Sequence, residues 1–177
     1  MNEPKATELR QAEVAPAERL SRYRENLGLS TKSNVKRETL NLPEYKNLRM
    51  RVTEDGKHQV LDILRQRFVN LTPEEWVRQH FIHFLITEKG YPQGLLANEV
   101  ELKVADKKLR CDSVLFNHNR QPRMIIEYKA ESVELTPKVI KQITTYNMLL
   151  NVDYLMISNG LMHLCMHYEK NDDNGFS

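Results

Sequence analysis

An acid interrupts each of two apolar runs in the stretch LRCDSVLFNHNRQPRMIIEYKAE, residues 109–131. Asp112 sits inside the first run. Glu127, with Lys129 two residues further on, sits inside the second. Burying a carboxylate is costly unless a cation or hydrogen-bond donors meet it, so the question is what meets these two. The connection NHNRQP is polar, contains proline and is short enough for an antiparallel hairpin. Pairing Phe116 with Arg123 sets Asp112 opposite Glu127, and a shift that preserves the buried faces moves this by two residues at most. Opposed Cβ atoms lie roughly 4.5–5.5 Å apart. Like charges at that spacing are destabilising unless one is protonated or a cation lies between them. Two carboxylates so placed, with a neighbouring carbonyl and waters, suit Mg²⁺ or Mn²⁺. Strand alternation brings the Lys129 amine to the same face. Such a group suits phosphodiester hydrolysis, in which a metal polarises a phosphoryl oxygen and acidifies water. The lysine orients that water or stabilises charge on phosphorus. The plainer alternative is a salt bridge between Asp112 and Lys129 on a solvated sheet edge, with Glu127 outside it. The apolar flanks VLF and MII argue for a sheet covered on both faces.

The elements that must position these residues are legible around them. LRMRVTEDGKHQVLDI places Asp55-Gly56 between two apolar-rich runs, a hairpin signal. TPEEWVRQHFIHFLITEKG reads as a helix with Thr72 as N-cap, Pro73 at N1 and Glu75 closing a capping box. Trp76, Val77, Phe81, Phe84 and Leu85 form its apolar face, and Gly90 stops it. Three strand-like runs follow: LLANEVELKV, LRCDSVLF and RMIIEYKA. A second helix opens at Thr136-Pro137, and two more strands, DYLMISN and LMHLCMHY, flank Gly160. Helix, three strands, helix and two strands make an α/β layer with a mixed central sheet. Residues 1–40 form a polar N-terminal extension in which Leu20, Tyr23 and Leu27 mark one short helix ending at Gly28. Residues 171–177 form a polar tail.

The ordered set Asp112, then Glu127-Tyr128-Lys129, resembles the PD-(D/E)xK nuclease superfamily. LTPEEWVRQHFIHFLITEKGYPQGLLANEVEL, RCDSVLF, PRMIIEYKAE, QITTYNMLL and YLMISNG together resemble the N-terminal nuclease domain of type I restriction enzyme R (motor) subunits, over roughly residues 41–168. The resemblance implies a restriction-endonuclease-like core spanning 41–170. It makes Asp112 and Glu127 metal ligands for Mg²⁺ or Mn²⁺, and Lys129 the catalytic lysine. Gln142 and Tyr146 match the QxxxY motif of that family. They lie four apart on the second helix, hence on one face; by themselves they read as a polar shoulder, and with the resemblance as residues that position DNA or the site. Glu99 matches an acid at the preceding strand, although alternation leaves open whether it or Glu101 points inward. Glu75 matches an acidic first-helix position that the capping box already explains. Cys111 stands where the motif's name expects proline.

Net charge is only +2, with 40% hydrophobic and 28% charged residues, so composition does not announce a nucleic-acid binder. Arg110, Arg120, Arg123, Lys138 and Lys141 are candidates for phosphate contacts, and a solvated face explains them nearly as well. His163 and His167, like His80 and His83, read as satisfied core or surface histidines. Cys111 and Cys165, in apolar runs without metal-finger spacing, read as buried free thiols of a reducing compartment. No run approaches the ~18 apolar residues of a membrane span, and the N-terminus lacks a secretory core, which suggests a cytoplasmic location. No GxxxxGK[ST] loop is present, so an ATP-driven motor is not expected in this chain. The expected function is DNA cleavage, alone or with restriction-modification subunits. The alternative is a nuclease-fold module that binds DNA or those partners without cutting.

Overall fold

The computed structural model describes residues 39–43, 45, 48–104, 107–141 and 152–168. The expected N-terminal helix, Gln142, Tyr146 and the 171–177 tail all lie outside the described residues.

The first described elements are three short antiparallel strands, β1 (Met50–Val52), β2 (His58–Asp62) and β3 (Arg67–Asn70). The Asp55-Gly56 turn joins β1 to β2 as expected, with Gly56 at φ +79°, a conformation that glycine adopts without steric cost. That these strands form a sheet of their own was not legible in the sequence.

Helix α1 (Pro73–Thr87) begins where the Thr72 hydroxyl accepts the Glu75 N–H at 3.1 Å. The other half of the expected capping box does not form. The Glu75 carboxylate turns away from the N-terminus, because buried cationic and amide groups on the next turn compete for it. Gly90, at φ +71°, follows the helix end.

The main sheet runs β4 (Leu96–Val104), β5 (Lys107–Phe116), β6 (Pro122–Tyr128), β7 (Tyr154–Ser158) and β8 (His163–His167), with neighbours in that order. All neighbours are antiparallel except β6 and β7, which are parallel. A parallel pair needs a crossover, and the segment between them enters helix α2 at Pro137, described over 137–141. The fold is therefore α/β with a mixed five-stranded sheet, as the order of elements implied.

Alternation along the central strands explains the two covered faces. Leu115, Met124, Ile126, Tyr128 and Met156 pack with Val77, Phe81 and Leu85 of α1. Their neighbours Val114, Ile125, Leu155 and Ile157 pack on the opposite side with Leu135 and Val152. Val139 and Ile140 of α2 border that second cluster. Leu40 closes the first cluster beside Gly160, where a Cβ would approach its Cδ2 to 2.5 Å.

Cys111 is buried as expected, but Cys165 is exposed, because β8 is an edge strand whose outward positions lack a packing layer among the described residues. No helix among the described residues is long and apolar enough to cross a membrane.

Candidate active site

The register of β5 against β6 decides whether the two acids meet. Ser113 pairs with Ile126, Val114 with Ile125 and Leu115 with Met124. Continuing that register places Asp112 opposite Glu127. Only at the turn does the expectation fail. Phe116 pairs with Pro122 instead of Arg123, through an irregularity between Leu115 and Phe116 that leaves the rest of the ladder in step.

The ladder between β5 and β6 stops at Ser113 and Ile126. Beyond that point β5 stays with β4, through Val100 and Cys111, while β6 stays with β7, through Glu127 opposite Ile157. The Tyr128 N–H donates to Asp112 Oδ2 at 2.9 Å instead of a ladder carbonyl, and the Asp112 N–H points at Glu127 Oε1 at 3.5 Å. The Lys129 N–H donates to the Ser158 carbonyl at 2.9 Å, carrying the β6–β7 pairing two residues past the acid. Asp112 and Glu127 thus lie where the two strands part, with Lys129 just downstream.

Burial raises the Glu127 carboxyl to about 7, and the Asp112 charge beside it adds to the shift. The Lys129 charge works the other way. Burial and the same two carboxylates push the Cys111 thiol up to about 12, so it is an inert neighbour rather than a nucleophile.

The residue that sequence reasoning missed is Arg78. It is only 5% exposed, on the buried side of α1. Its Nη1 donates to Glu75 Oε2 at 3.1 Å and to Glu99 Oε1 at 2.6 Å, and its Nη2 donates to Asp112 Oδ1 at 2.9 Å. Gln79 Nε2 donates to the other Glu75 oxygen at 2.8 Å. Glu75 is therefore part of this cluster and not a helix cap alone. Glu99 is the inward acid of its strand. Its φ of +57° breaks the alternation that left it indistinguishable from Glu101, which pairs outward with Lys108. Burial works to raise the Glu99 carboxyl, but Arg78 and Arg110 outweigh it and hold it below the ordinary range. The one available signal for Arg78 was an arginine one residue after Val77 on the apolar face of a helix, which calls for a partner.

A second buried polar chain adjoins the first. Asp62 is fully buried; its Oδ1 accepts the Leu64 and Arg65 N–H groups, each at 2.9 Å, and its Oδ2 accepts from Asn98 Nδ2 at 2.9 Å. Asn98 Oδ1 accepts from Ser113 Oγ at 2.6 Å, next to Asp112.

The remaining candidates are structural or peripheral. His163 uses both ring nitrogens, one with Ser158 Oγ at 2.8 Å and one with the Asn41 carbonyl at 3.0 Å. His167 stacks on Tyr154, and the His80 ring packs against Trp76. Arg110 is exposed and paired with Glu99, and Arg123 lies near Asp153. Among the described residues no three His, Cys, Asp or Glu side chains are arranged to hold a metal ion together. Arg78 bonds to Glu75, Glu99 and Asp112, and the Asp112 and Glu127 carboxylates interact beside one another.

No curated protein matches the chain. The family description "Type I restriction enzyme R protein N terminus" matches residues 73–177, more than half of the chain and the part that carries α1, the five-stranded sheet and Glu75, Glu99, Asp112 and Glu127. The chain belongs to the family of type I restriction enzyme R protein N-terminal domains.

Proposed function

We propose that this domain hydrolyses phosphodiester bonds of DNA with a divalent cation held by Asp112 and Glu127. The observation that carries the reading is the parting of β5 and β6 at these two acids. It puts two partly buried carboxylates beside one another and leaves Glu127 with a carboxyl raised to about 7. That donor set fits Mg²⁺ or Mn²⁺, which take oxygen ligands and are commonly held by one or two carboxylates. When bound, the cation would supply Lewis acidity and a more acidic water.

The chain's own residues do the rest. Asp112 is aimed by the Tyr128 N–H and the Arg78 guanidinium, so its carboxylate has no freedom to swing out. Lys129 brings a positive charge beside Glu127, where it can orient the attacking water and offset charge developing on the phosphoryl oxygens. Gln142 and Tyr146 are proposed to position DNA or the site. Membership of the R-protein family supports action within a restriction-modification assembly.

A second reading has one observation in its favour. Asp112 already pairs with Arg78, so the cluster is partly neutralised from within the chain. On that reading the domain binds DNA or partner subunits without cutting.

Incubation of supercoiled, linear and single-stranded DNA with the protein in Mg²⁺ or Mn²⁺ separates the two. The expected result is cleavage that EDTA abolishes and that Lys129→Ala lowers by on the order of 10²–10³-fold with Mn²⁺ binding retained. DNA binding without cleavage in the presence of partner subunits would establish the second reading.

A further inference from the structure

Arg78 is a nearly buried cation, and a guanidinium taken out of water must be well partnered to be tolerated. Its partners are unusual in number and in place. One amino group holds Glu75 and Glu99, and the other holds Asp112. Its Cζ lies 5.6 Å from the centroid of the Tyr128 ring, the residue whose N–H donates to the second Asp112 oxygen. Each partner is itself restrained: Glu75 by Gln79, with Arg65 Nη2 3.6 Å away, and Glu99 by Arg110. The guanidinium is therefore a fixed fork and not a swinging arm. A lysine ammonium could not hold two carboxylates in this planar geometry.

Two consequences follow for Asp112. Both of its oxygens are aimed, one by Arg78 and one by the backbone. Meanwhile Glu75 and Glu99, the other acids within reach, have their charge taken up by the same guanidinium. Without it, Asp112 and Glu99 would be neighbouring carboxylates with no cation between them, Glu99 keeping only Arg110. We infer that Arg78 is a positioning residue of the cation site: it aims Asp112 and holds Glu99 out of the ligand set, so that the cation is met by Asp112 and Glu127. The inference rests on the cleavage reading proposed above.

The test compares wild type, Arg78→Met, Arg78→Lys and Glu99→Gln in the full chain, measuring Mn²⁺ affinity without DNA and cleavage with it. Arg78→Met removes the positive charge between Asp112 and Glu99, so Mn²⁺ binds more tightly, by on the order of tenfold. Cleavage nevertheless falls by about a hundredfold, the effect typical of losing an outer-shell partner. Arg78→Lys brings Mn²⁺ affinity back toward wild type while cleavage stays low. A role confined to packing would not move affinity and turnover in opposite directions.

Glu99→Gln keeps the hydrogen-bonding shape at a partly exposed position and decides the matter if Arg78→Met does not fold. Its Mn²⁺ affinity stays within about twofold of wild type, because Glu99 is not a ligand. A loss of tenfold or more in Glu99→Gln, or unchanged affinity and cleavage in folded Arg78→Met, overturns the inference and leaves the cleavage reading standing. If wild type binds no Mn²⁺, or if Asp112→Asn does not weaken its binding, the cleavage reading fails and this inference fails with it.

Discussion

Glu127 occupies the least favourable surroundings of the acids in the cluster. Burial and the neighbouring Asp112 charge both oppose its ionisation, and a carboxyl that ordinarily titrates at 4.5 is raised to about 7. In the metal-free protein the folded state then keeps a proton that the unfolded chain releases. This group's contribution to stability is full below pH about 4.5 and is lost as pH rises through about 7. Urea unfolding of metal-free wild type and Glu127→Gln should therefore diverge between about pH 5 and about pH 8, with wild type losing ground at the higher pH. Added Mn²⁺ should restore wild type at high pH and leave the variant unchanged. Parallel stability curves for the two proteins would mean that the Glu127 carboxyl is not raised in the folded state. This opposition of two acids was readable from spacing to within two residues, because alternation keeps both on one face, and the irregularity at Phe116 leaves that register in step. Arg78 was not readable in the same way. Its partners come from α1, β4 and β5, and no local pattern brings those three together.

At the scale of elements, Asp62 at the end of β2 ties the small sheet to the large one. Its carboxylate caps the turn that follows, meets the Arg65 side chain and takes the Asn98 amide of β4. Burial alone would raise this carboxyl, but its hydrogen bonds and Arg65 outweigh burial and hold it below the ordinary range. Its contribution is thus present at neutral pH and lost on acidification. Asp62→Ala should cost on the order of 3–5 kcal/mol, since it strands Arg65 and Asn98 without their partner. A urea-midpoint change equivalent to less than about 1 kcal/mol would show that β1–β3 are joined to the sheet by other contacts. The strands and helices themselves were largely legible. Period-2 runs marked β4 to β8, and Thr72-Pro73 and Thr136-Pro137 marked both helix starts. The capping box was misread at Glu75 because a capping pattern specifies a competing donor only locally. Arg78 and Gln79 offered that carboxylate a buried alternative.

For the whole molecule, the five-stranded sheet is a shared wall between two apolar clusters. Ile126 faces the α1 side and Leu155 faces the other, and both are fully buried. Ile126→Ala and Leu155→Ala should each cost about 2–5 kcal/mol, the range for truncating a buried aliphatic side chain. Because the strands carry both clusters, each variant should shift one common unfolding transition. Two separable transitions in calorimetry would show that the faces unfold independently. The sequence by itself determined the elements, their order, the mixed sheet and the opposition of Asp112 to Glu127, because alternation, turn residues and helix caps act over a few neighbouring residues. The tertiary structure alone decided that Glu99 and not Glu101 turns inward, that Glu75 leaves its cap, and that Arg78 gathers three carboxylates from three elements. Those outcomes depend on which groups are buried together, and burial, which sets the strength of every charge interaction here, is a property of the packed molecule and not of any segment.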